Sequence, residues 1–227
     1  MSKVSEYKST VVNTARQLVE DKILIGLGGN ISMLVEGEDL VVITPSGMDY
    51  MALTDDDICV VDLDRNLVEG EHRPSVETGM HLEVYKCRPD VNAVVHTHQV
   101  FPSIFALISE PIPAVFDEQA ANLGDRVELV PYALSGSDEL LESIGRAVKN
   151  LCNAYILQNH GCLLLGTSID KAVTNAKLLD KVSQAYYLAL NTGKPISCLP
   201  DKISNLLFTL MKAEQKKEAD RKQGVAS

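Results

Sequence analysis

The chain has 227 residues, a net charge of −10 and 45% hydrophobic residues. The acidic balance argues against polyanionic partners, so no nucleic acid and no anionic membrane surface is expected; a small anion can still be held by local backbone amides and a metal. No run approaches the ~18 apolar residues that cross a bilayer, and the first residues carry no signal-type apolar segment, so the chain reads as soluble and cytoplasmic.

The length suits one large α/β domain over residues 1–227. The five cysteines (Cys59, Cys87, Cys152, Cys162, Cys198) are odd in number and form no C-x-x-C pair. That argues against a disulfide framework and favours small buried hydrophobes or free thiols.

Val11, Val12, Ala15, Leu18 and Val19 mark an amphipathic helix from about Glu6 to Lys22, which Gly26-Leu27-Gly28-Gly29-Asn30 ends. Ile31–Val35 and Leu40–Ile43 read as a hairpin across Glu36-Gly37-Glu38-Asp39, followed by the turn Thr44-Pro45-Ser46-Gly47. Ile58–Leu63 is a further strand. A helix is expected to begin at Pro74-Ser75-Val76-Glu77, with Ser75 as N-cap and Glu77 in the first turn, and to stop at Arg88-Pro89-Asp90. Ala93–His98 is a strand, Phe101–Ile108 a helix, Val127–Pro131 a strand and Ser137–Lys149 a helix. Ala154–Gln158 and Cys162–Leu165 are strands around Asn159-His160-Gly161, and Ile169–Asn191 is a long helix. Residues after about 212 are charged and poor in hydrophobics, and are expected to fray or be disordered. No regular β-α-β alternation appears, so a doubly wound nucleotide-binding fold is disfavoured.

His96-Thr97-His98 ends the Val-rich strand. Side chains on a strand alternate faces, so the two imidazoles point the same way, as the start of a transition-metal site. His160 is the best third ligand, beside a glycine that permits close approach. Glu77 is either a carboxylate ligand or a base. His81, one helical turn later on the same face, is a rival ligand but reads better as packing behind the site. His72 reads as exposed. Gly28-Gly29-Asn30-Ile31-Ser32, Thr44-Pro45-Ser46-Gly47 and Ser75 offer amides and hydroxyls that can cradle an anion, although such residues are also ordinary turn formers. Neither the Rossmann spacing nor a Walker lysine follows Gly26-x-Gly28, so nucleotide binding is disfavoured.

Taken in order, Gly29-Asn30-Ile31-Ser32, Ile43-Thr44-Pro45-Ser46-Gly47, Pro74-Ser75-Val76-Glu77, Arg88-Pro89-Asp90, Val94-Val95-His96-Thr97-His98, Pro131-Tyr132 and Asn159-His160-Gly161 resemble the class II aldolase/adducin family, most of all its fuculose-phosphate aldolases. The resemblance covers roughly residues 7–190. It implies a three-layer αβα fold with a central, mainly antiparallel sheet, assembled as a homotetramer with active sites at subunit interfaces. It implies one Zn2+ per subunit held by His96, His98, His160 and Glu77, with Glu77 as acid/base once substrate displaces it from the metal. The phosphate of a small sugar substrate would be held by Gly29, Asn30, Ser46, Gly47 and Ser75. The implied reaction is cleavage of a fuculose 1-phosphate-like ketose to dihydroxyacetone phosphate and an aldehyde through a metal-stabilised enediolate.

The chain departs from that pattern at three places. Val76 stands where those aldolases carry a second phosphate-binding serine. Counting from Ile112-Pro113, Asp117 falls where they carry a catalytic tyrosine, which makes Asp117 or Glu118 the candidate proton donor. No tyrosine follows Tyr187. The related 4-epimerases usually carry Asp in place of Glu77 and another Asp near Ala121. A dehydratase, whose Glu aligns near Glu118, a decarboxylase and a non-catalytic adducin-like scaffold remain the alternatives.

Overall fold

The computed structural model describes residues 2–224. In chain order the elements are α1 (Lys3–Glu20), β1 (Asn30–Leu34), β2 (Leu40–Ile43), β3 (Cys59–Asp62), β4 (Leu67–Glu69), α2 (Thr78–Cys87), β5 (Ala93–Thr97), α3 (Val100–Ile108), β6 (Ile112–Pro113), α4 (Asp117–Asn122), β7 (Arg126–Val130), α5 (Asp138–Ala147), β8 (Ala154–Leu157), β9 (Gly161–Gly166), α6 (Ile169–Leu190) and α7 (Asp201–Lys222). The strands make one nine-stranded sheet in the order β4-β3-β2-β1-β5-β9-β8-β7-β6. Every pairing is antiparallel except β7 with β8, which α5 joins as a single crossover. This is the mainly antiparallel αβα arrangement expected.

The period-two alternation of the strands decides which layer each side chain enters. Val42, Ala93, Val95, Ile156, Cys162 and Leu164 face one core, with α1, α3 and α6. Val41, Ile43, Val94, Tyr155, Leu163 and Leu165 face the other, with α2, α5 and α7. Both faces of β5 and β9 are therefore dry, and each fully buried Val or Leu contributes roughly 1.5–3 kcal/mol. His96 follows Val94 by two positions and so enters the α2 layer at the end of the most central strand.

Several expectations need correction. The helix after Pro74 starts at Thr78, with Glu77 and not Ser75 at the N-cap. Residues 73–75 are held extended against 44–46: Ser46 donates its amide to Arg73 O and Ser75 its amide to Thr44 O, so the chain cannot turn earlier. The charged tail does not fray at 212. α7 continues to Lys222, with Gln215 buried and its amide donating to Leu151 O and to Asn153 Oδ1. Glu218 accepts from Asn92, and Lys222 donates to Val91 O. Residues 225–227 of that tail lie outside the described residues. β4, β6, α4 and the start of α7 had no counterpart among the expected elements. His72 is not simply exposed, since its Nε2 lies 3.0 Å from Asp57 Oδ1. Among the described residues the cysteines are all free.

Candidate metal centre

Four donor residues from three separate stretches of the chain converge at the edge where β5 ends and α2 begins. β5 delivers His96 and, just beyond it, His98. The β8–β9 hairpin delivers His160, with Asn159 in the left-handed conformation that Asn tolerates. α2 delivers Glu77 at its N-cap, where the positive end of the helix favours a carboxylate. One potential ligand atom from each of Glu77, His96, His98 and His160 lies within 4.8 Å of every other. Glu77 Oε2 is 3.1 Å from His96 Nε2, Glu77 Oε1 is 2.8 Å from His160 Nε2, and His96 Nε2 is 2.9 Å from His98 Nε2.

The surroundings aim these atoms. His96 is fully buried, and its Nδ1 lies 2.8 Å from Cys162 O, a carbonyl that can only accept. Nδ1 therefore carries a proton, and Nε2 is the nitrogen turned toward the cluster. Gly161 leaves room for this: a Cβ there would strike Thr97 O and His98 Cδ2. Gly29, with a φ of +87°, passes so close to β5 that a Cβ would strike His96 O. Asn30 is the cross-strand partner of His96, and its Nδ2 donates to Glu77 Oε2 at 2.8 Å.

Burial pushes the Glu77 carboxyl up, but the hydrogen bonds from His160 and His96 outweigh it and hold the group well below the usual carboxylate range. Burial and the neighbouring His96 and His160 bring His98 down to about 4, so its imidazole is neutral near pH 7. Three imidazoles and an ionised carboxylate, with close donor pairs 2.8–3.1 Å apart and all ligand atoms within 4.8 Å, are a donor set for one divalent ion bonded at ~2.1 Å.

Glu77, His98 and His160 floor a cleft of about 230 Å³, with His96 buried beside them, and the cleft is lined also by Leu27, Gly28, Gly29, Asn30, Pro45, Ser46, Gly47, Ser75, Val76 and Ser135. Each residue expected to hold an anion thus lies around the donor cluster. Val76 is 53% exposed there. His81 is fully buried away from the cleft, with Nδ1 2.7 Å from Ser32 Oγ, and so is packing behind the site. Asp117 and Glu118 stand exposed at the start of α4, outside the lining of their own chain's cleft, and Glu118 pairs with Lys181. Ser135, on the loop between β7 and α5, was missed by sequence reasoning; it lies 3.2 Å from Glu77 Oε1. Its only local signal is its place in the small-residue turn Ser135-Gly136-Ser137 before α5.

Fold and cluster together define an α/β protein with a cleft whose Glu and His donors could hold a metal ion. Residues 9–187 match the family described as Class II Aldolase and Adducin N-terminal domain. A 5-deoxy-D-ribulose 1-phosphate aldolase of Bacillus thuringiensis serovar kurstaki is 32% identical over 199 residues, covering 88% of this chain and 92% of the relative. An L-fuculose phosphate aldolase of Methanococcus maripaludis is 33% identical, covering 79% and 96%. A solved L-fuculose 1-phosphate aldolase superposes with a TM-score of 0.86 at 33% identity, covering 91% of this chain and 96% of that one. The chain belongs to the class II aldolase and adducin family, and within it to the aldolases, which are lyases.

Proposed function

We propose that the chain is a zinc-dependent aldolase that cleaves a phosphorylated ketose or deoxyketose to dihydroxyacetone phosphate and an aldehyde. The observation that carries this reading is the placement of the Glu77, His96, His98 and His160 donors on the floor of a cleft walled by Gly29, Ser46, Gly47 and Ser75. A divalent ion held by those four residues would supply Lewis-acid stabilisation of the negative charge that develops beside the ketone, so no Schiff-base lysine is required. Glu77 takes the proton of the substrate hydroxyl as the carbon–carbon bond breaks and the electron pair stays with the ketone half. The turn amides and the Ser46 and Ser75 hydroxyls hold the phosphate. Val76 and Leu27 add apolar surface to the same cleft.

Asp117 and Glu118 lie outside the cleft lining of their own chain, so a role for either as proton donor requires a neighbouring subunit of a homotetramer with shared sites. Zinc-loaded protein incubated with 5-deoxyribulose 1-phosphate and with fuculose 1-phosphate should release dihydroxyacetone phosphate from at least one of them, and His96→Ala should lose both zinc and activity. Absence of dihydroxyacetone phosphate from both substrates, with metal occupancy confirmed, overturns the aldolase reading. Release of water or carbon dioxide in its place would identify the dehydratase or decarboxylase.

A further inference from the structure

Each oxygen of the Glu77 carboxylate meets one imidazole and one neutral donor. Oε2 lies against His96 and accepts from the Asn30 amide; Oε1 lies against His160 and the Ser135 hydroxyl. Once an ion occupies the cluster, the imidazole Nε2 lone pairs are committed to it and those nitrogens carry no proton to give. Asn30 and Ser135 are then the donors that remain for the carboxylate. The Ser135 Oγ lies 3.2 Å from Glu77 Oε1 and 3.4 Å from His160 Nε2, two atoms that are themselves 2.8 Å apart.

We propose that Ser135 is a positioning residue: its hydroxyl and the Asn30 amide clamp the Glu77 carboxylate from opposite sides, fixing how Glu77 meets the metal and keeping it in place to receive a proton when it lets go. The part concerning proton transfer rests on the aldolase reading; the part concerning the metal does not. Ser135 stands on an exposed loop leading into α5, within hydrogen-bond reach of the carboxylate. Outer hydrogen bonds to ligating groups typically change metal affinity 10–100-fold when removed.

The test compares Ser135→Ala, Ser135→Thr and the parent chain, each loaded with Co2+ for its visible spectrum and with Zn2+ for competition against a chelator. Ser135→Ala should weaken zinc binding about tenfold and shift the cobalt absorption, and Ser135→Thr, which keeps the hydroxyl, should restore both. In turnover, Ser135→Ala should lower kcat with little change in KM. Metal-free Ser135→Ala should melt with the parent, which shows that the loop is intact. Parental zinc affinity together with a parental cobalt spectrum in Ser135→Ala overturns the proposal. If no sugar phosphate is turned over by the parent, the aldolase reading fails while the metal measurements still decide the role of Ser135.

Discussion

At the residue scale, a buried histidine behind the donor cluster, His81, shapes the stability of the fold. It is fully buried, its Nδ1 engages Ser32 Oγ, and Ser32 in turn engages the Tyr85 hydroxyl. Burial, with His96 nearby, brings His81 down to about 3. The unfolded chain titrates near 6.5, so between those values it binds a proton that the folded chain refuses. The native state is thus at full advantage above about pH 6.5 and loses stability as pH falls toward 3, by up to about 1.4 kcal/mol per pH unit. His81→Gln removes this titration. Urea unfolding of the metal-free proteins from pH 7 to 5 should show a shallower loss for His81→Gln than for the parent; equal slopes would refute the assignment. The same residue shows what local pattern can reveal. Its spacing from Glu77 marks it as a possible ligand, and only its burial among Ser32, Tyr85 and the α2 layer sets it behind the site.

At the scale of elements, alternation along β5 was readable directly, and so was the shared face of His96 and His98. The start of α2 was not. Pro74-Ser75-Val76-Glu77 has the composition of a helix start, but strand-like pairing of residues 73–75 with 44–46 delays the turn and leaves Glu77 at the N-cap, nearer the histidines. The C-terminal helix was hidden for a different reason. α7 buries Ser204, Phe208, Met211 and Gln215, spaced four, three and four residues apart, a narrow stripe in which two of the four residues are polar. The many charged residues on the rest of the helix mask so thin a stripe. Phe208→Ala should cost about 3 kcal/mol in denaturant unfolding, as for other buried aromatics, whereas Glu214→Ala on the exposed face should stay within about 0.5 kcal/mol. Equal effects would show that α7 does not pack as described.

For the whole molecule, a metal that binds the folded chain and not the unfolded one stabilises it by mass action. Zinc at 100 times its dissociation constant should add about 2.7 kcal/mol, read as a rise in Tm that a chelator reverses. The same preparation tests assembly. Light scattering after gel filtration should give four times the chain mass of 24.8 kDa. The exposed apolar residues Leu107, Ile108, Phe116, Tyr132 and Leu134 are the surface that such an assembly would cover. A monomeric, active enzyme would exclude shared sites and with them any role for Asp117 or Glu118.

The sequence by itself determined the family and the candidate donors, because histidines at period two, a His-Gly turn and the glycine-rich loops are local patterns that can be read without distant contacts. Tertiary structure alone decided how the donors are held. Asn30 reaches Glu77 because β1 pairs with β5, and Ser135 reaches it because the loop after β7 crosses to the same edge of the sheet. Hydrogen bonds between residues 47 and 58 positions apart leave no trace in local pattern, since it is the strand order and the length of the crossovers that bring them together.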